Sequence, residues 1–373
     1  MNVQDILAEL VSIPDLPGHS NAAMSTCVQK HLTNAGANFK VLPGPEGDRE
    51  NIFATLGPAD EAGYILSGHM DVVPVAGQNW TSDPFTLTTR EERLYGRGTT
   101  DMKGFLACML ATAYAVDCDA LKRPLHLAFS YDEEIGCRGV GHMIARLPEL
   151  CTPPLGCVIG EPSDMTPVLS HKGKQAITLT FSGQSAHSSN PDAGVNAIYP
   201  AAEVALFVRD LNKKMERDGP FDQRFSPAHS TVVAGVVHGG IALNIIPDSC
   251  AIDIECRAVP GQDPALLIEE VIAFARRCVD EDKAIAVDQQ LLGKYPALPP
   301  PTNKELTQLM EKLTHRSAIS AVSYGTEAGL FDAAGVPSII CGPGSITRAH
   351  KPDEYIEKSE LKDCCDVLRA LAN

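Results

Sequence analysis

Seven residues of this 373-residue chain have types and spacing suited to metal-assisted chemistry: His69, Asp71, Asp101, the adjacent pair Glu133 and Glu134, Glu161 and His350. Imidazole nitrogen and carboxylate oxygen together suit Zn²⁺, Mn²⁺ or Co²⁺, and the lack of a thiolate in the set argues against a closed structural zinc site. Three protein ligands per ion with an open position is the catalytic pattern, and two histidines with three carboxylates serve two ions if one carboxylate bridges. Two ions ~3.5–4 Å apart polarise a carbonyl and lower the pKa of a shared water toward ~7. Of Glu133 and Glu134, one can bind metal while the other faces that water as general base, because neighbours at a strand end point different ways. Asp71 can accept the second imidazole N–H of His69 and fix its tautomer. Taken singly, each residue also has an ordinary reading. Asp101 can be a helix N-cap, the Glu pair a solvated loop, Glu161 a turn residue before Pro162, and each histidine a satisfied polar group. Only a shared location makes them a site.

The elements that must position them supply that location. Apolar runs at 63–67, 125–131 and 157–160 read as buried strands, and each ends at one of the polar clusters. A strand at 338–341 precedes a Gly-rich turn and His350, and a helix starts near Met102, just after Asp101. Further strands are expected at 39–42 and 51–56, with one helix before them and helices at 139–146 and from Ser359. Strands alternating with helices predict an α/β fold with a mostly parallel sheet and helices on both faces. In such sheets ligands gather at the C-terminal strand ends.

After Lys174 the texture changes. Residues 175–182 alternate apolar and polar, a long helix fits 193–215, strands fit 230–237 and 249–259, and a second helix fits 264–282. Two helices on one antiparallel sheet make a compact α+β insert. The expected domains are therefore 1–174 (catalytic, first part), 175–288 (α+β) and 289–373 (catalytic, second part), with the Pro-rich stretch after Tyr295 leading back.

The bulk composition narrows the classes. Two domains are the natural expectation at this length. A formal net charge of −16 argues against nucleic acid or an anionic membrane as the main partner. The first residues read as a short amphipathic helix, without the basic start and apolar run of a signal peptide. No stretch approaches the ~18 apolar residues of a membrane span. The 12 cysteines include no Cys-x-x-Cys pair and read as reduced, mostly buried thiols, with the adjacent Cys364 and Cys365 the candidates for reactivity. A cytoplasmic location follows as the expectation. There is no dinucleotide-binding G-x-G-x-x-G after the first strand and no P-loop string.

The strings SGHMDVVPVAGQNWTSDPF, LYGRGTTDMKG, SYDEEIGCRG, GEPS, GQSAHSS, GTEAGLF and AHKPDEY occur in order from about residue 60 to 360. As a set they resemble the M20 family of metallopeptidases and deacylases. The resemblance implies a zinc-peptidase-like catalytic domain interrupted by a smaller dimerisation or lid domain. It implies a homodimer and two divalent ions, zinc by default with cobalt or manganese able to substitute. Under it, His69 and Glu161 hold one ion, Glu134 and His350 the other, and Asp101 bridges. Glu133 becomes the general acid/base that activates the shared water, and Asp71 orients His69. His187 stabilises the tetrahedral oxyanion, often from the partner subunit. Asn244 and Arg257 grip the substrate carboxylate, for which a planar guanidinium is well shaped, and Glu327 lies near the substrate. The strings around Asp101 and Glu327 are most like members that release acetate from N-acetyl-L-ornithine. Relatives acting on acetylcitrulline, succinyl-diaminopimelate or peptides share the same metal residues.

Overall fold

The computed structural model describes residues 1–280 and 284–372, so residues 281 and 282 of the expected second insert helix lie outside the described residues. In chain order the strands are β1 (Asn38–Pro43), β2 (Glu50–Leu56), β3 (Tyr64–His69), β4 (Thr88–Arg90), β5 (Arg93–Tyr95), β6 (Leu125–Ser130), β7 (Gly156–Pro162), β8 (Gly173–Ser182), β9 (Thr231–Gly239), β10 (Ser249–Ala258), β11 (Ala286–Tyr295), β12 (Ser338–Gly342) and β13 (Tyr355–Glu357). Three helices bear on the site or its surroundings: α1 (Val3–Val11), α2 (Ala22–Asn34) and α3 (Lys103–Ala115). The chain divides into two compact units, residues 1–170, 298–321 and 326–373 forming the first and 171–297 with 322–325 the second.

The first unit is built on a six-stranded sheet in the order β1-β2-β6-β3-β7-β12. β6, β3, β7 and β12 run parallel, while β1 and β2 add an antiparallel edge. Every residue of β6, β7 and β12 is buried, as a sheet covered on both faces requires. Their apolar runs are therefore continuous rather than alternating. α3 is buried all round, from Lys103 to Leu110, which explains its lack of a polar face. It lies hard against the sheet because Gly160 has no side chain. A Cβ there would stand 2.0 Å from Cδ1 of Phe105. Burying the Phe105 ring contributes about 1.5–3 kcal/mol, and the contact locks the helix that follows Asp101 to the strand that carries Glu161.

The N-terminal region holds two helices, α1 and α2, where the sequence suggested one. The turn at Pro14 and Pro17 ends the first pattern, and α2 has a weaker apolar stripe that buries only Met24, Ser25, Val28, His31 and Leu32. The small sheet β13-β5-β4 is also new, its strands being too short to carry a period.

The second unit has a four-stranded antiparallel sheet in the order β11-β8-β10-β9. Ile177, Leu179 and Phe181 of β8 and Ile252, Ile254 and Cys256 of β10 point to one face. There they pack on the helices Ile198–Asp218 and Pro264–Asp280 through Val204, Val208, Leu211, Ile268 and Val271. The first of these helices starts at Ile198 rather than 193, because Pro191–Ala193 form a short turn and Gly194 is extended. β11 is the strand that the pattern missed. It is an edge strand, mostly exposed and bulged between Leu291 and Gly293, so it carries no clean alternation.

Candidate active site

The C-terminal ends of the parallel strands converge as their order dictates. His69 is the last residue of β3, Glu161 the sixth of β7, and Glu133 and Glu134 follow β6 after Tyr131 and Asp132. His350 follows β12 through the turn at Gly344 and the short helical turn Ile346–Arg348. Its φ of +62° and that of Asp132 at +55° are uncommon for side-chain-bearing residues, and such backbone is held only where the surroundings over-determine it.

The carboxylate of Asp101 sits between the two histidines. Its Oδ1 lies 3.2 Å from Nε2 of His69, and its Oδ2 lies 3.2 Å from Nε2 of His350. Glu134 Oε2 is 3.2 Å from the same nitrogen of His350, and Glu161 Oε1 is 3.8 Å from Nε2 of His69. One ligand atom each from His69, Asp101 and Glu134 lie within 4.8 Å of one another, and so do those of His69, Glu133 and Glu161. Donors of the expected types are thus close enough to share cations, with one carboxylate facing both ways.

Asp71 acts in a way that spacing alone did not suggest. Its backbone carbonyl, not its carboxylate, is closest to Nδ1 of His69, at 2.9 Å against 3.7 Å. The carboxylate accepts the backbone N–H groups of Glu133 and Glu134, both at 3.1 Å. Asp71 therefore orients the imidazole with its main chain and the Glu133–Glu134 turn with its side chain.

Electrostatics follow from crowding anions in a dry place. Burial pushes the Glu133 carboxyl up to about 8, against the pull of His69 and with the charges of Glu134 and Glu327 adding to it. Burial likewise raises Glu134 and raises Glu161 well above the usual range, the Asp101 charge adding in each case. Asp101 is instead held low. Burial opposes this, but hydrogen bonds to His350 and His69 outweigh it. Hydrogen bonds to Asp101 and Glu134 push His350 up to about 11. This is the charge pattern that divalent cations compensate.

Three residues that the sequence did not single out hold the site in place. Glu354, fully buried, pairs with Arg97 at 2.6 Å and accepts the backbone N–H groups of Gly98, Thr100 and Asp101. Arg97 also donates to Gln78 Oε1 at 2.6 Å and stacks over Trp80. Gln78 donates to the backbone carbonyl of His350 at 2.9 Å. The signal that could have found them is their place inside the strings SGHMDVVPVAGQNWTSDPF, LYGRGTTDMKG and AHKPDEY, Arg97 four residues before Asp101 and Glu354 four after His350. A buried Arg–Glu pair has no periodic signature.

Glu327 belongs to this unit and is close enough to the site for its charge to act on Glu133. It is 1% exposed, accepts the Ser67 hydroxyl at 3.3 Å, and burial pushes its carboxyl up to about 7.

His187, Asn244 and Arg257 lie in the second unit. The first two are neighbours: His187 bridges to Ile245, and Ser188 donates its N–H to the Asn244 carbonyl at 3.1 Å. The imidazole Nδ1 of His187 accepts the Ser189 N–H at 3.1 Å, which assigns the ring proton to Nε2. Arg257 is at the other end of the sheet. Its partner on β8 is Lys174, whereas the loop of His187 leaves from Ser182, opposite Ser249. Eight strand residues separate those ends, about 26 Å. Arg257 donates to Glu255 at 2.6 Å. One copy of this unit therefore does not bring Arg257 to His187 and Asn244.

Residues 65–373 match peptidase family M20/M25/M40. The acetylornithine deacetylase of Photorhabdus laumondii subsp. laumondii is 32% identical over an alignment covering 98% of this chain and 95% of the relative. Among solved structures, the M20 family metallo-carboxypeptidase Sso-CP2 from Sulfolobus solfataricus superposes with a TM-score of 0.79 at 17% identity, covering 100% of this chain and 99% of that one. The YXEP protein of Bacillus subtilis, described as a dinuclear metal binding peptidase, superposes with a TM-score of 0.66 at 14% identity, covering 99% and 96%.

Proposed function

Since the chain belongs to peptidase family M20/M25/M40 and is a metallohydrolase acting on amides, we propose that it removes the acetyl group from N-acetyl-L-ornithine, giving L-ornithine and acetate. The observation that carries this reading is Asp101, whose two oxygens face the two histidines at 3.2 Å each. That donor set is hard and borderline, with nitrogen and oxygen only, and suits zinc first and cobalt or manganese second. His69 and Glu161 would hold one ion, Glu134 and His350 the other, with Asp101 between them. Two such ions polarise an amide carbonyl and lower the pKa of the attacking water.

The remaining chemistry belongs to the chain. Glu133 takes a proton from the attacking water and returns it to the leaving amine nitrogen as the C–N bond breaks. One carboxylate can serve both steps, first as general base and then as general acid. The His187 Nε2–H donates to the oxygen that gains charge. Asn244 and Arg257 hold the substrate carboxylate. We take the active form to be a homodimer in which the partner supplies His187. The opposite placement of Arg257 and His187 supports this, as do the exposed Val233, Val236 and Val237 on edge strand β9. Among the described residues no helix is long and apolar enough to cross a membrane, and we place the enzyme in the cytoplasm.

The test is acetate or amine release by metal-loaded protein from N-acetylornithine, N-acetylcitrulline, N-succinyl-diaminopimelate and a dipeptide, with and without chelator. Chelator-sensitive turnover favouring N-acetylornithine supports the proposal. Preference for another member keeps the chemistry and moves the substrate.

A further inference from the structure

A second cluster of metal-ligating side chains lies between α1 and α2. Glu9 projects from α1, and Cys27 and His31 project from α2. Four residues apart on a helix, Cys27 and His31 share one face. One ligand atom from each of the three lies within 4.8 Å of the others. The His31 side chain is fully buried, its Nε2 makes no hydrogen bond, and the nearest anionic atom is Glu9 Oε2 at 3.5 Å. On its other side, Nδ1 is 3.2 Å from the Tyr114 hydroxyl of α3. Donation from Nδ1 to that oxygen leaves the Nε2 lone pair facing Glu9 and Cys27. This is how metal-binding histidines are usually oriented by a neighbour.

We propose that Glu9, Cys27 and His31 form a further metal site, separate from the catalytic cluster, that takes Zn²⁺ or another borderline-soft divalent ion. The chemistry selects the class. One thiolate, one imidazole and one carboxylate favour zinc over magnesium or manganese, and a fourth position is left for water. Binding exchanges the Cys27 thiol proton for the ion, and the proton goes to solvent. The present partner of Glu9 is Lys30, at 2.9 Å. Both side chains are well solvated, and such a pair contributes little, so Lys30 yields the carboxylate to a divalent ion. The bound ion clips α1 to α2, and Tyr114 ties that clip to α3.

The site is tested on the full chain, stripped with chelator and reloaded with Co²⁺, by metal content and by the thiolate-to-cobalt charge-transfer band. Wild type, Cys27→Ser, Glu9→Gln and Cys137→Ser are compared, the last because Cys137 touches Glu133 in the catalytic cluster. The expected result is that Cys27→Ser binds one ion fewer and loses the band, Glu9→Gln needs more Co²⁺ to develop it, and Cys137→Ser retains it. Zn²⁺ should also raise Tm less in Cys27→Ser than in wild type. Equal metal content and an unchanged band in Cys27→Ser, or loss of the band in Cys137→Ser alone, overturns the proposal. Acetate release measured in parallel separates this outcome from failure of the catalytic reading, which does not involve these residues.

Discussion

The carboxylate of Glu354 accepts the backbone N–H of Asp101 at 3.0 Å while its other oxygen is paired with Arg97. One buried anion thus sets both the main chain of the central carboxylate and, through Arg97 and Gln78, the loop of His350. Removing one member of a buried ion pair costs about 3–5 kcal/mol, so the shape-conserving Glu354→Gln is the informative variant. It should fold with a lower Tm and lose about 10–100-fold in metal affinity, the usual effect of losing a group that orients ligands. Metal titration followed by activity checks this. Unchanged affinity would mean that the loop is positioned without Glu354.

Glu133→Gln should keep its bound metal and lose about 10²–10⁴-fold in kcat, the range of general acid–base catalysis. Its N–H to Asp71 is main chain and survives the change. Elemental analysis beside steady-state kinetics separates the two effects. A variant that loses metal instead would make Glu133 a ligand, which its place within 4.8 Å of His69 and Glu161 allows geometrically.

A homodimer that shares its sites makes a distinctive prediction for His187 and Glu133. Each single variant, His187→Ala or Glu133→Gln, should be nearly inactive. Mixed after dissociation and reassociation, they should regain activity, because one site in each mixed dimer has both wild-type residues. No recovery, with mixed dimers verified, would place His187 and Glu133 in the same protomer's site or remove His187 from the chemistry.

Asp15 offers a pH test at a buried carboxyl that is not itself one of the proposed metal ligands. It is 5% exposed, its Oδ2 has no hydrogen-bond partner, and burial, then the Asp71 charge, pushes its carboxyl up to about 7. The unfolded value is near ~3.9. The folded chain therefore holds a proton that the unfolded chain releases, and stability falls as pH rises from about 4 to about 7. In metal-free protein, Asp15→Asn should raise Tm at about pH 8, with the gain vanishing toward about pH 4. Thermal melts across that range check the sign. A gain independent of pH would show that the charge is not the cause.

By itself the sequence determined the strand-end pattern, the family and the residues brought together around Asp101. Buried parallel strands are continuous apolar runs, and the polar residue that ends each run must emerge at one edge. It also marked the insert, because β8 and β10 alternate with period two. Other features needed the tertiary structure. β11 is stabilised by pairing to β8 and has no pattern of its own. Asp71 works through its main chain toward His69, and which of its groups faces the imidazole is a matter of backbone path. Arg97 and Glu354 meet across more than 250 residues of chain, and no spacing predicts that contact. The separation of Arg257 from His187 is a matter of strand register, which hydrogen bonding between strands decides and local sequence does not.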